Sequence, residues 1–88
     1  MQQLTSNDVL PDDGGMKLIN INPGEGSCEI FKSNPGGTYP ETPFKTITQS
    51  SDPKDFIFYA PTPKGLYWRV VLTGGATAEY TKHSTRNY

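Results

Sequence analysis

The chain has very few of the side chains from which catalytic and metal sites are built: one cysteine and one histidine in 88 residues. A single cysteine cannot form an intrachain disulfide, which excludes the disulfide scaffolds of small secreted domains. Cys28 and His83 alone cannot close a zinc site, and as a nucleophilic pair they lack a third member. We therefore predict no enzymatic activity, no catalytic residue, no metal and no cofactor. Cys28 is predicted to fill the core as a small hydrophobe.

Strong net charge and long apolar runs are also absent. Eight Lys plus Arg oppose nine Asp plus Glu, and a net charge of −1 gives no electrostatic reason to expect nucleic acid or an acidic membrane as a partner. No apolar run approaches the roughly 18 residues that a membrane-spanning helix needs. The chain does not open with the basic and apolar segments of a secretory signal. Binding to nucleic acid or insertion into a membrane is therefore not expected.

Little of the composition can form a core, since apolar residues make up only 33%, against a typical value of about 45 to 50%. We predict one domain, residues 16–82, with two polar ends. Residues 1–15 have few apolar side chains and close with Pro11 and an Asp-Asp-Gly-Gly cluster, which predicts a flexible N-terminal arm and a hinge. The acidic arm and the basic C-terminal tail, residues 83–88, are either solvated or docked on oppositely charged neighbours.

What the chain does contain is short runs rich in β-forming residues, separated by glycine, proline, asparagine and serine. Six strands are predicted, at residues 16–22, 27–32, 44–48, 54–60, 66–73 and 76–82. Turns at Gly24-Glu25-Gly26 and Gly74-Gly75 predict two tight hairpins, one joining the first two strands and one joining the last two. The predicted fold class is all-β: a small antiparallel β-sandwich or barrel of about six strands, immunoglobulin-like, with an extended N-terminal arm.

Aromatic side chains are the remaining candidates for binding, because tyrosine, tryptophan and arginine dominate the binding energy of protein interfaces. Trp68 alternates in phase with the leucine and valine residues of its strand and is predicted to lie in the core, while Tyr67 and Arg69 take the other face. Tyr39 lies in a Pro- and Gly-rich loop, where it faces either solvent or a partner. The candidate partner-binding residues are Leu4, Val9, Leu10, Tyr39, Tyr67, Arg69, Arg86 and Tyr88.

In layout, the chain resembles the small β-sandwich decoration and accessory proteins of tailed phages. The resemblance is carried by residues 44–82, with the Pro61-Thr62-Pro63-Lys64-Gly65 turn, the strand at residues 66–73 and the Gly74-Gly75 turn. It implies a non-enzymatic virion structural protein, a capsid decoration or cement protein that binds the outer surface of the capsid and stabilises it. The resemblance also implies that the protein is located in a virion, which is assembled in the host cytoplasm. Its expected partners are the major capsid protein or other virion proteins, and the chain is expected to form a homo-oligomer.

A second interpretation is a receptor-binding or tail-fibre tip domain, in which the aromatic residues around Tyr39 and Tyr59 contact a host glycan. Other interaction domains are also compatible with the sequence, including a carbohydrate-binding module detached from its enzyme.

Overall fold

The computed structural model describes residues 2–83 and contains eight β-strands and one short 3-10 helix. The strands are β1 Gln2–Leu4, β2 Asp8–Val9, β3 Met16–Asn22, β4 Ser27–Lys32, β5 Lys45–Thr48, β6 Ile57–Pro61, β7 Trp68–Thr73 and β8 Thr77–His83, with the 3-10 helix at Pro53–Phe56. The prediction placed a strand across residues 54–60. The chain instead makes a helical turn there first, because Pro53 opens it and the Asp52 carboxylate accepts the Lys54 N–H at 3.1 Å.

The strands form two four-stranded sheets in which every pair is antiparallel. Sheet I has the order β1-β8-β3-β6 and sheet II the order β2-β7-β4-β5. The predicted all-β antiparallel sandwich is confirmed, with eight strands in place of about six. The immunoglobulin-like order is not confirmed: that fold pairs several consecutive strands within a sheet, whereas here only β4 and β5 are both consecutive and paired. The order is that of a jelly roll.

The N-terminal segment belongs to the sandwich, so the predicted extended arm is not confirmed. Strand β1 pairs with β8 and β2 pairs with β7. Between them the backbone continues to bond, with the Asn7 N–H donating to the Val70 carbonyl at 2.7 Å. Leu4 and Leu10, predicted to contact a partner, are instead buried in the core, at 4% and 1% exposure. The chain has few large apolar side chains, and both of these leucines are part of the core.

The core lies between the inner faces of the two sheets. Its fully buried members include Ile19 from sheet I and Ile30, Ile47 and Val70 from sheet II. The predicted core position of Trp68 is confirmed: its side chain is 2% exposed and its indole N–H donates to the Pro61 carbonyl at 2.7 Å. This bond satisfies the one polar group that the indole brings into the core.

The two predicted hairpins are wrong. The connection from β3 to β4 and the connection from β7 to β8 both pass from one sheet to the other. These two turns pack backbone against backbone: a Cβ built on Gly26 would lie 1.8 Å from the Thr73 carbonyl oxygen and 2.7 Å from the Gly74 Cα. The glycines that predicted hairpins therefore lie in connections that cross between the sheets. At Gly26, the absence of a side chain is what allows the two connections to touch.

We predict that Gly26→Ala destabilises the protein by at least about 2 kcal/mol, since the added methyl group meets backbone that must shift. The control is Gly75→Ala. Gly75 has a φ of +88° but open space around it, so that variant is expected to lose only about 1 kcal/mol from the left-handed backbone conformation. Urea denaturation of both variants measures the difference. Equal midpoints would show that the two turns do not need their close approach.

Candidate functional site

Arg69 is held between two aromatic rings on the outer face of sheet II. Its guanidinium carbon lies 4.9 Å from the centroid of the Phe31 ring and 4.9 Å from that of the Tyr39 ring. Phe31 is directly opposite Arg69 in the pairing of β4 with β7. Tyr39 comes from the loop that joins β4 to β5 and reaches this face from the side. A planar cation between two rings is favourable both electrostatically and by stacking.

Two hydrogen bonds at the base of the loop at residues 33–44 join it to Tyr67, the residue just before β7. The Ser33 N–H donates to the Tyr67 carbonyl at 2.8 Å, and the Tyr67 N–H donates to the Ser33 hydroxyl at 2.9 Å. At its tip, Gly36 and Gly37 have φ values of +96° and +93°, which lets the chain turn back toward sheet II. The loop therefore places Tyr39 with a defined position over Arg69.

The charge of Arg69 has no counter-ion in the part of the chain that the structure describes. Among residues 2–83, no carboxylate forms an ion pair with it, and its Nε is buried without a hydrogen-bond partner. Burial raises the pKa of the Tyr39 hydroxyl, and the Arg69 charge opposes that rise. At neutral pH the site is consequently a cation beside a neutral phenol, which favours an acidic or hydrogen-bond-accepting group of a ligand.

Four of the eight predicted binding residues meet at this face. Val9 lies opposite Arg69 in the pairing of β2 with β7 and is 46% exposed. Tyr67 is two residues before Arg69 and is half-buried, and its Cε2 would lie 3.8 Å from a Cβ built on Gly37 of the Tyr39 loop. We call Val9, Phe31, Tyr39, Tyr67 and Arg69 the Arg69 surface. Of the other four, Leu4 and Leu10 are core residues, and Arg86 and Tyr88 lie outside the described residues.

Phe31 is the member of this surface that the sequence analysis missed. Alternation along β4 puts Cys28 and Ile30 inward, which leaves Phe31 on the outer face. An outward phenylalanine nevertheless has only 8% exposure, and the Arg69 guanidinium lies over its ring. The alternation along β4 is visible in the sequence, and it predicts that the Phe31 ring on the outer face must be covered by other residues to be buried.

A second feature absent from the sequence analysis is a buried lysine. Lys17 lies in β3 at 1% exposure, and its ammonium donates to Asp13 Oδ1 at 2.6 Å, to the Thr62 hydroxyl at 2.8 Å and to the Gly14 carbonyl at 3.2 Å. Three acceptors satisfy all three N–H groups of the ammonium. The contacts fix the segment that was predicted to be a hinge, so the role of Lys17 is to close this end of the sandwich.

Asp13 is the charged partner in that cluster. The hydrogen bond from Lys17 holds the pKa of the Asp13 carboxyl below its usual value, and the charges of Lys17 and Lys82 act in the same direction. The Lys82 ammonium lies 3.9 Å from Asp13 Oδ2. Two cations therefore stabilise the ionised form of one carboxylate.

Cys28 is buried in the core, as predicted, and has no exposed surface. Burial raises the pKa of its thiol to about 11, and the neighbouring Glu29 charge adds to the rise. Since the thiolate is the nucleophilic form, this environment gives a structural rather than a reactive cysteine.

The outer face of sheet I carries a different kind of surface. A groove of about 280 Å³ crosses it, lined by the side chains or backbone of Gln3, Asn20, Ile21, Asn22, Thr77, Ala78 and Glu79. Beside it, on the edge strand β6, Ile57 and Tyr59 are 49% and 53% exposed. Tyr39 and Tyr59, considered together as glycan-contacting residues from the sequence, thus lie on opposite faces of the sandwich.

Within residues 2–83, no group of three or more His, Cys, Asp or Glu side chains is placed to hold a metal ion, and no helix is long and apolar enough to cross a membrane. Comparison of the chain with protein-family models, with curated proteins and with solved structures gave no match.

The Asp13 cluster predicts a specific acid sensitivity. Because the folded-state pKa of Asp13 lies below the unfolded value of 3.8, its contribution to stability is fully present above that pH and is lost as pH falls toward the folded-state pKa. Asp13→Asn should therefore be less stable than the wild type at neutral pH, with a difference that shrinks below pH 3.8. Urea unfolding across pH 2.5–7 (roughly the acid limb described by linkage) measures this, with Glu41→Gln as the charge-matched control. A difference that stays constant with pH would contradict the assignment.

The Cys28 environment predicts slow labelling. A pKa of about 11 in place of 9.0 lowers the thiolate fraction near pH 8 by about 100-fold. A disulfide reagent such as DTNB should react at least that much more slowly with the folded protein than with protein in denaturant. A Cys28→Ser, Thr46→Cys variant, which moves the thiol to an exposed position, provides the fast-reacting control. Rapid stoichiometric labelling of the native wild type would contradict the prediction.

Proposed function

We propose that this chain is a non-enzymatic structural protein of a phage virion: a capsid decoration or cement protein that binds the outer surface of the shell and stabilises it. The Arg69 surface is the part that binds. Its partner is the major capsid protein or another virion protein. Copies of the chain act as a homo-oligomer, so that repeated weak contacts add up over the shell.

The observation that supports this proposal best is the fixed position of Arg69 between Phe31 and Tyr39. Arginine and tyrosine are the residue types that dominate protein interfaces. A side chain already held in one conformation loses less entropy when it binds, and this preserves more of the contact energy as affinity. The exposed Val9 next to Arg69 adds apolar area to the same patch.

The charge of the patch supports a protein partner with an acidic group. Arg69 has no carboxylate partner among residues 2–83, and its planar guanidinium can donate two parallel N–H···O hydrogen bonds to one. The jelly-roll strand order is also used by viral capsid domains. Fold alone does not decide function, so the weight of the proposal lies on the Arg69 surface.

The test uses particles made from the genome that encodes this chain, with its gene deleted, and purified protein added back. We expect the wild type to co-sediment with the shells and to raise their melting temperature. Arg69→Ala should weaken binding by about 30-fold or more, as for a hot-spot arginine. Arg69→Lys keeps the charge but loses the planar stacking, and it should also bind more weakly. Tyr59→Ala, on the opposite face, is the control and should bind normally.

Two results would overturn the proposal. One is wild-type protein that neither co-sediments with the shells nor changes their melting temperature. The other is full binding by folded Arg69→Ala, which would move the contact to a different surface.

A further inference from the structure

The outer face of sheet I has a composition that differs from that of the Arg69 surface. The groove described above is lined by five polar side chains from three strands: Gln3 from β1, Asn20 and Asn22 from β3, and Thr77 and Glu79 from β8. None of them is cationic. The volume, about 280 Å³, is at the small end of the roughly 300 to 1,000 Å³ typical of small-molecule sites.

The strand register arranges these side chains in rows. Glu79 lies opposite Gln3 on one side and opposite Asn20 on the other, and Asn20 lies opposite Ile57. Residues directly opposite each other share a face, with strands about 4.8 Å apart. One row therefore runs amide, carboxylate, amide, aliphatic across the four strands of the sheet.

The next row along the strands ends in an aromatic ring. Leu18 lies opposite Thr81 on β8 and opposite Tyr59 on β6. Tyr59 is consequently diagonal to Asn20 across one strand pair, within reach of a ligand that contacts both. The exposed side chains of Ile57 and Tyr59 thus lie beside the row of amide and carboxylate groups formed by Gln3, Glu79 and Asn20.

Two of the amides have hydrogen-bonding capacity to offer. Gln3 donates from Nε2 to the Ala78 carbonyl at 3.3 Å, and Asn22 Oδ1 accepts the Gly24 N–H at 3.2 Å. Among residues 2–83, the Gln3 carbonyl oxygen and the Asn22 amino group make no further hydrogen bond. The groove therefore presents both an acceptor and a donor, in addition to the acceptor-only carboxylate of Glu79.

These groups match the chemistry of a sugar. A pyranose offers neighbouring hydroxyls that both donate and accept hydrogen bonds, and a C–H face that stacks on an aromatic ring. We propose that this face binds a neutral glycan, with hydroxyls on Gln3, Glu79 and Asn22 and the C–H face of an adjacent sugar on the exposed ring of Tyr59. The glycan is neutral because the Glu79 carboxylate repels an acidic sugar, and the groove has no cationic side chain among its lining residues in the described range 2–83.

The inference is independent of the proposed capsid contact, because the two surfaces lie on different sheets. The probe is an array that carries neutral and sialylated or uronic-acid oligosaccharides, followed by titration of the best neutral hit in solution. Tyr59→Ala and Gln3→Ala should each lower affinity at least about tenfold. Tyr59→Phe keeps the stacking ring and should keep most of the binding. Tyr39→Ala, on the opposite face, is the matched control and should bind as the wild type does.

The proposal is overturned if no neutral glycan binds, if only acidic glycans bind, or if folded Tyr59→Ala binds unchanged. Circular dichroism of each variant separates loss of binding from loss of fold. Loss of glycan binding in Tyr59→Ala with normal binding in Arg69→Ala supports this site, whatever the shell experiment shows. If this face captures peptides and no sugars, the occupant is a protein and the glycan assignment is wrong.

Discussion

The structure depends on one constraint: the first third of the chain pairs, antiparallel, with its second half. The paired positions run from Gln2 with Tyr80, through Val9 with Arg69 and Met16 with Pro61, to Ile30 with Lys45. The chain is thus one long ribbon, folded so that successive strand pairs alternate between the two sheets. Pairing continues where the ribbon crosses between sheets, since the Gly14 N–H donates to the Thr62 carbonyl. Removing the N-terminal segment would leave β7 and β8 without their edge partners.

The crossings decide which residues must be small or charged. At one end, two connections touch through Gly26, where a side chain would overlap the Thr73 carbonyl. At the Gly14 crossing, Lys17 brings a charge into the sandwich. The buried charge is tolerated because Asp13, Thr62 and the Gly14 carbonyl accept hydrogen bonds from its ammonium. Both devices serve the ribbon, and neither touches the outer faces. Those faces are therefore available for binding without cost to the fold.

Local patterns in the sequence were sufficient to predict the strand class and the core position of Trp68, but not the pairing between distant segments. Alternation predicted the strand class and the buried position of Trp68, because each depends on neighbours two residues away. Pairing between distant segments leaves no local signal in the sequence. Leu4 and Leu10 are apolar residues in a polar stretch, and an extended arm that binds a partner through two apolar residues would have the same pattern. Gly74-Gly75 has the composition of a hairpin turn, yet the same residues suit a tight crossing. The meeting of Val9 with Arg69 depends on the register of β2 against β7, and that of Tyr39 with Arg69 depends on the path of the loop at residues 33–44, so neither could be predicted from local patterns.

The ribbon also explains why a long loop lies beside Arg69. Its apex is the connection between β4 and β5, the one link that stays within a sheet, and this connection is too long for a tight turn. The extra residues include Tyr39, whose ring lies against Arg69, and Arg69 in turn lies against Phe31. Within residues 2–83, sheet I has no connection that joins two of its own strands, and Tyr59 on its outer face is 53% exposed. A copy held to another protein through sheet II would consequently present sheet I away from that contact, and the two proposed ligands would not compete for the same side of the molecule.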